Sequence, residues 1–258
     1  MKKGIIIVSF GTSEILGLKQ NIENINNKIK KEFKEEYEVL NAFTSKFIIK
    51  KLKEVSNIHV LNFTEALDKF YGQGIRELIV LPLYIMPGGQ YEGVKEVLEG
   101  YKERFNSIKI ARPLLSGEKE DFKNIIVAMK DYLPKDKNIV LVGHGTKDKY
   151  HEFYKVLEDN FYEMGIKNIH VGTLEGYPTS YDLVKDLKEK NIKDIFIAPF
   201  LIVCGSHVNK DINGEENKNS WKNVFKDAGF NVTVSLKSLG EYEEILDLYV
   251  ERIRTLIK

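Results

Sequence analysis

The residues best suited to chemistry in this chain are two histidines and a glutamate, each held in a glycine-containing segment that follows an apolar run. The run Ile139-Val-Leu-Val142 stops on Gly143-His144-Gly145-Thr146. Glu175 stands in Gly172-Thr-Leu-Glu-Gly-Tyr-Pro178, and His207 follows the apolar stretch 194–203 within Gly205-Ser-His-Val-Asn-Lys-Asp211. Two imidazoles and a carboxylate make a plausible set for a divalent first-row metal ion. An imidazole with an ordinary pKa near 6.5 can also accept a proton at neutral pH. Spacing does not decide the matter, because the three residues come from separate loops, and loop residues satisfied by backbone hydrogen bonds are the alternative. Of the other histidines, His59 and His170 lie in or beside β-like apolar segments and read as structural or surface residues. His151 opens an amphipathic helix and is expected to be exposed, near enough to His144 in sequence to line the rim of a cleft.

Other chemistries find little support. Gly143-His-Gly-Thr146 lacks the lysine and the length of a phosphate loop, and no dinucleotide fingerprint or nucleophile elbow is present. The single cysteine, Cys204, excludes an intrachain disulfide and a cysteine-rich zinc site. Its position three residues before His207 suits an activated thiolate, but its apolar flank suits a small buried thiol better. The stretch Asp211-Ile-Asn-Gly-Glu-Glu216 lacks the ligand register of a calcium loop.

The elements that must position these residues are those of an α/β protein. At 258 residues, with 43% hydrophobic and 30% charged residues, the chain is long enough for two cores. A net charge of +1 argues against a nucleic-acid surface. No apolar run approaches the roughly 20 residues of a membrane span. The apolar stretch after Met1-Lys-Lys is shorter than the ~7–15 residues a signal peptide needs, so a cytoplasmic protein without membrane attachment is expected. Nothing marks an oligomer interface, which leaves a homo-oligomer open.

Buried-type runs at 4–10, 78–83, 139–143 and 194–203 predict parallel strands, each followed by a segment with helical periodicity. The glycine-rich stretch 86–90 is expected to be a loop, with a helix from Tyr91, and 204–216 a second long loop. The two halves repeat. Ile7-Val-Ser-Phe-Gly-Thr12 lies over Leu141-Val-Gly-His-Gly-Thr146, with Phe10 opposite His144. Ile75–Leu83 lies over Ile192–Phe200, with Gln90 then opposite His207. The expected architecture is therefore two Rossmann-like halves with parallel sheets, 1–130 and 131–258, facing each other across a cleft. The last helix is free to pack back on the first half. The titratable residues of the site lie in the second half only.

Over nearly its whole length the chain resembles the anaerobic cobalt chelatases, the sirohydrochlorin cobaltochelatases of the CbiK type within the class II chelatases. The matching stretches are Val8-Ser-Phe-Gly-Thr-Ser13, Ala42-Phe-Thr-Ser45 with Ile48-Ile-Lys-Lys-Leu52, Gly143-His-Gly-Thr146, Glu175-Gly-Tyr-Pro178, and Gly205–Asp211 with Asn219-Ser-Trp-Lys222. The resemblance implies two Rossmann-like halves around a tetrapyrrole cleft, and metal-binding residues His144, Glu175 and His207. It also implies insertion of Co2+ into sirohydrochlorin or precorrin-2, with release of two protons and no organic cofactor. Fe2+ or Ni2+ insertion into the same tetrapyrrole is the alternative within that chemistry. A two-lobed metal- or tetrapyrrole-binding protein without turnover is the alternative outside it.

Two departures bear on the mechanism. Where relatives commonly carry an acidic residue this chain has Gln90, with Glu92 two positions on, and where some carry a histidine it has Tyr84. Glutamine cannot take a pyrrole proton at neutral pH, so His144 and His207 are the expected catalytic residues, His144 doubling as proton acceptor. The acetate and propionate groups of such a substrate would meet Lys46, the region of Ser13, and the backbone N–H groups of Gly88 and Gly89. Phe10, Tyr84, Gln90 and Glu92 complete the expected substrate contacts.

Overall fold

A computed structural model describes residues 3–203 and 205–257, and for His207 the backbone alone. Cys204, the candidate thiol, lies outside the described residues. The chain divides into two compact units, residues 1–116 with 243–258, and residues 117–242.

The first unit holds a five-stranded parallel sheet in the order β3-β2-β1-β4-β5. Its strands are β1 (Lys3–Ser9), β2 (Tyr37–Phe43), β3 (Leu61–Asn62), β4 (Glu77–Pro82) and β5 (Ser107–Ile110). Between them run α1 (Ile15–Gly17), which passes through a π-helical stretch Leu18–Glu23 into α2 (Asn24–Phe33), then α3 (Lys46–Ser56), α4 (Phe63–Gly72) and α5 (Gly89–Glu99). Of the apolar face predicted for the first long helix, Ile15, Leu18, Ile22, Ile25 and Ile29, all but the half-buried Ile15 are buried, as the three- and four-residue spacing requires. The opposite face of the sheet packs Ile6, Val8 and Val80 on Phe63, Leu67 and Phe70 of α4 and Val94 and Leu98 of α5.

The second unit holds a four-stranded parallel sheet in the order β7-β6-β8-β9. It comprises α6 (Lys119–Met129), β6 (Asn138–Gly145), α7 (Phe153–Glu163), β7 (Ile169–Glu175), α8 (Ser180–Glu189), β8 (Asp194–Pro199), α9 (Trp221–Asp227) and β9 (Asn231–Val234). The final helix, α10 (Glu243–Ile257), belongs to the first unit. There Lys28 reaches both Glu243 and Asp247, Arg254 pairs with Glu32 at 2.8 Å, and Arg252 donates to the Leu114 carbonyl at 2.9 Å.

The division falls at Ser116/Gly117 rather than at the expected 130/131. The reason is α6, whose Phe122 meets Phe153 of α7 edge-on at 5.5 Å while Lys119 pairs with Glu163 at 2.9 Å.

The repeat read from the sequence is present in the backbone. Strands β2-β1-β4-β5 and β7-β6-β8-β9 occupy the same order. Leu83 N–H donates to Val8 O at 2.7 Å in one unit, and its counterpart Phe200 N–H to Val142 O at 2.8 Å in the other. The paired residues Gly11 and Gly145 share a positive φ, 96° and 89°. Each unit therefore carries a positive-φ glycine at the matching place near the end of its first strand. Among the described residues no helix is long and apolar enough to cross a membrane.

His170 bears out its structural reading. It is buried in β7, its Nε2 is 3.3 Å from Asn138 Oδ1, and burial, aided by Lys190, pulls its pKa down to about 4. The unfolded chain takes up this proton near pH 6.5 and the folded chain only near 4, so the stability present above pH 6.5 is lost as pH falls between the two values. The loss is at most about 3–4 kcal/mol at 1.36 kcal/mol per pKa unit. Urea unfolding of wild type at a series of pH values should show this slope, and His170→Gln should remove most of it.

Candidate active site

His144 and Glu175 are brought to adjacent strand ends by the register of β6 on β7. Gly143 pairs with Thr173 and Gly145 with Glu175, so both candidate ligands sit at the carboxyl edge of the second sheet. Open parallel α/β sheets bind their ligands at that edge. Both side chains are exposed there. Strand β6 runs two residues further than predicted, to Gly145, which places His144 on the strand itself rather than in a following loop.

The close approach depends on Gly145. A Cβ there would stand 1.7 Å from the Glu175 carbonyl oxygen, and the residue's φ of 89° is one that L side chains rarely adopt. The Gly145 N–H is held by the Tyr154 hydroxyl at 3.0 Å. Burial pushes that phenol up to about 12, against the opposing pull of the Gly145 and His144 backbone, so it remains protonated at neutral pH. His144 Nδ1 lies 3.3 Å from the Gly145 carbonyl. With Nδ1–H donating to that oxygen, Nε2 carries the lone pair, the tautomer a metal or a pyrrole proton requires.

His207 begins a π-helical turn, His207–Ile212, where a loop was expected. The turn is anchored by Val208 and Ile212, which are buried against Trp221 and Phe225. The motif Asn219-Ser-Trp-Lys222 serves this segment structurally. Ser220 caps α9 by accepting the Asn223 N–H, and the Asn223 amide donates to the carbonyls of Gly214, Glu215 and Asn217. Lys222 pairs with Glu215. The side chain of His207, the third expected ligand, lies outside the described residues. Among the described residues, no group of three or more His, Cys, Asp or Glu side chains is gathered for a metal ion.

In the first unit, the expected substrate contacts fall into two groups. Phe10 follows β1 and is 48% exposed, and Ser13 lies just beyond it, half-buried. Tyr84 follows β4, and burial raises its hydroxyl, with Thr44 opposing the rise. Thr44 links these strand ends, its N–H donating to Ser9 O at 2.9 Å and its hydroxyl to the Gln90 side-chain oxygen at 3.5 Å.

The loop expected through Gln90 instead ends at Gly88. Gly89, Gln90 and Glu92 already form the first turn of α5, because Glu92 N–H bonds back to Gly88 O at 2.9 Å. The Glu92 carboxylate pairs with Lys95 at 2.6 Å on the same helix. Lys46 stands apart as the first residue of α3, behind its cap Ser45, which accepts the Ile48 N–H at 3.3 Å. It lines a groove of about 470 Å³ with Lys50, Lys53, Asn62 and Glu65. Thr44, Tyr154 and the loop contacts of His151 were not anticipated from sequence. The one available signal was that His151 and Tyr154 share a face at i, i+3 in the helical segment after the His144 strand.

This fold, with two parallel sheets whose strand order is repeated, is shared with solved structures of SirB. SirB from Bacillus subtilis with Fe3+ superposes with a TM-score of 0.66 at 18% identity, over 98% of this chain and 95% of that one. The sirohydrochlorin chelatase SirB from Bacillus subtilis subspecies spizizenii in complex with cobalt gives 0.63 at 14% identity, over 98% and 94%. The cobalt chelatase (CbiK) family model matches residues 3–258, and the chain belongs to that family. A sirohydrochlorin cobaltochelatase of Salmonella typhimurium is 27% identical over 256 residues, covering 98% of this chain and 96% of the relative. The sirohydrochlorin cobaltochelatase CbiKC of Nitratidesulfovibrio vulgaris is 25% identical over 258 residues, covering 98% and 89%.

The β6–β7 contact yields a direct test. Gly145→Ala should lower stability in urea by more than about 3 kcal/mol, because steric overlap adds to backbone strain. Gly74→Ala, at φ 82° with nothing within 4 Å of the added methyl, should cost only about 1–2 kcal/mol.

Proposed function

We propose that this protein is a sirohydrochlorin cobaltochelatase, which inserts Co2+ into sirohydrochlorin in anaerobic cobalamin biosynthesis and releases two protons. The observation that carries the proposal is the pairing of Gly145 with Glu175, which sets an imidazole and a carboxylate on neighbouring strand ends in a chain of the cobalt chelatase family.

Metal insertion requires that water leave the ion, that the macrocycle expose nitrogen lone pairs, and that two N–H protons be removed. His144, Glu175 and His207 hold the arriving ion, imidazole and carboxylate being suited to a first-row divalent metal. An exchangeable site of this kind favours release into a macrocycle that offers four nitrogens. Once the ion has passed to the macrocycle and freed Nε2, His144 takes the two pyrrole protons in turn, and solvent receives each from the exposed ring. Gln90 has no basic group, so its part is a hydrogen bond rather than proton transfer. Phe10 offers an apolar face to the macrocycle. Ser13, Tyr84, Glu92 and the Gly88–Gly89 backbone supply polar contacts, and Lys46 is a cation for the substrate's carboxylates.

Anaerobic incubation with sirohydrochlorin and equimolar Co2+, Fe2+ or Ni2+, followed by visible absorption, tests this reading. Cobalt insertion should be fastest, and His144→Ala and His207→Ala should each lower its rate at least about 100-fold with the fold intact by circular dichroism. Wild-type rates in both variants, or preference for another ion, would overturn the corresponding part of the proposal.

A further inference from the structure

The two strand ends that carry His144 and Glu175 continue into separate loops, and one side chain bonds to both. Thr146 N–H donates to His151 Nδ1 at 3.3 Å, and His151 Nε2 lies 2.6 Å from the Tyr177 carbonyl. Because Nδ1 accepts, the ring hydrogen sits on Nε2 and is donated to Tyr177. The ring also lies close against the second loop. A Cβ on Gly176, whose φ is 114°, would stand 2.5 Å from His151 Cε1. On its other side the ring meets Tyr154 edge-on at 5.5 Å, the same tyrosine whose hydroxyl holds Gly145 N–H.

The imidazole is itself fixed. It belongs to the 3₁₀ turn Lys149–Glu152, which Asp148 caps by accepting the Tyr150 N–H at 2.9 Å. One turn before α7 thus reaches both loops, the first two residues past His144 and the second two residues past Glu175.

We propose that His151 is a positioning residue for metal capture, a neutral crosslink that sets the separation of His144 and Glu175. The inference rests on the reading of those two residues as cobalt ligands. Both ring nitrogens are engaged by backbone, which suits a spacer and not a third ligand. Removing an outer-shell group of this kind typically costs 10–100-fold in metal affinity. The loss falls on binding of the ion, because His151 touches neither ligand side chain's donor atoms in any contact described above.

Two conservative substitutions separate the two bonds. An asparagine oxygen takes the place of Nδ1 and keeps the Thr146 contact, whereas a glutamine amide takes the place of Nε2 and keeps the Tyr177 contact. Co2+ affinity is measured by calorimetry without tetrapyrrole, alongside KM for Co2+ and kcat in the insertion assay and the visible absorption of bound cobalt. His151→Ala should weaken Co2+ binding and raise KM for Co2+ about 10-fold or more. Its kcat at saturating Co2+ should change much less, and its cobalt spectrum should keep the wild-type band positions. His151→Asn and His151→Gln should each restore part of the affinity, and they carry the test if the alanine variant does not fold.

Wild-type affinity and KM in all folded variants would overturn the proposal. So would a changed cobalt spectrum matching that of His144→Ala, which would make His151 a ligand. If wild type itself neither binds Co2+ nor inserts it, the chelatase reading fails and this inference falls with it. Wild-type turnover with unaffected variants removes only His151 from the account.

Discussion

The second unit depends on how closely two parallel strands approach at their carboxyl ends. Along β6 and β7 the ladder continues to the pair Gly145–Glu175, where no side chain larger than hydrogen fits on the β6 side. That contact places the backbones of His144 and Glu175 at adjacent strand ends on the sheet edge instead of leaving them on independent loops. The surrounding devices serve the same contact: the Tyr154 hydroxyl on Gly145 N–H, the His151 ring between the two loops, and the return of Thr173 N–H to Pro178 O at 2.9 Å. Two exposed polar side chains have little packing of their own, so the backbone beneath them must supply the order.

The internal repeat places the titratable residues of the proposed site in the second unit only. Both units carry a glycine of positive φ at the matching place, Gly11 just past β1 and Gly145 at the end of β6. In one unit the residue before that glycine is Phe10 and in the other His144. The two units share this glycine but present different residues before it, an apolar one in the first unit and the proposed ligand in the second. The same contrast holds further along, where Gln90 in the first turn of α5 matches His207 at the start of its own helical turn.

Much of this was readable before any coordinates. The strands announced themselves as buried apolar runs, and the repeat followed from aligning two of them. Ends of elements were harder. Helix α5 starts at Gly89, ahead of the expected Tyr91, because a glycine pair reads as a loop until the Glu92–Gly88 hydrogen bond is seen. The 204–216 stretch reads as a loop because its glycines and polar residues hide the alternation of Val208 and Ile212, which bury a π-helical turn. The unit boundary was misplaced by α6, since its apolar face says that it packs but not upon what. The role of His151 was out of reach for a related reason. Its importance lies in backbone atoms of Thr146 and Tyr177, and backbone carries no sequence signal.

The central claim is that one ion is held by His144, Glu175 and His207 before it enters the macrocycle. The most direct measurement is a crystal structure of the Co2+-loaded protein with anomalous data collected at the cobalt edge. The account predicts a single strong peak about 2.0–2.2 Å from a ring nitrogen of His144, a carboxylate oxygen of Glu175 and a ring nitrogen of His207. A cobalt peak bound elsewhere, with these three side chains outside coordination distance, would contradict it.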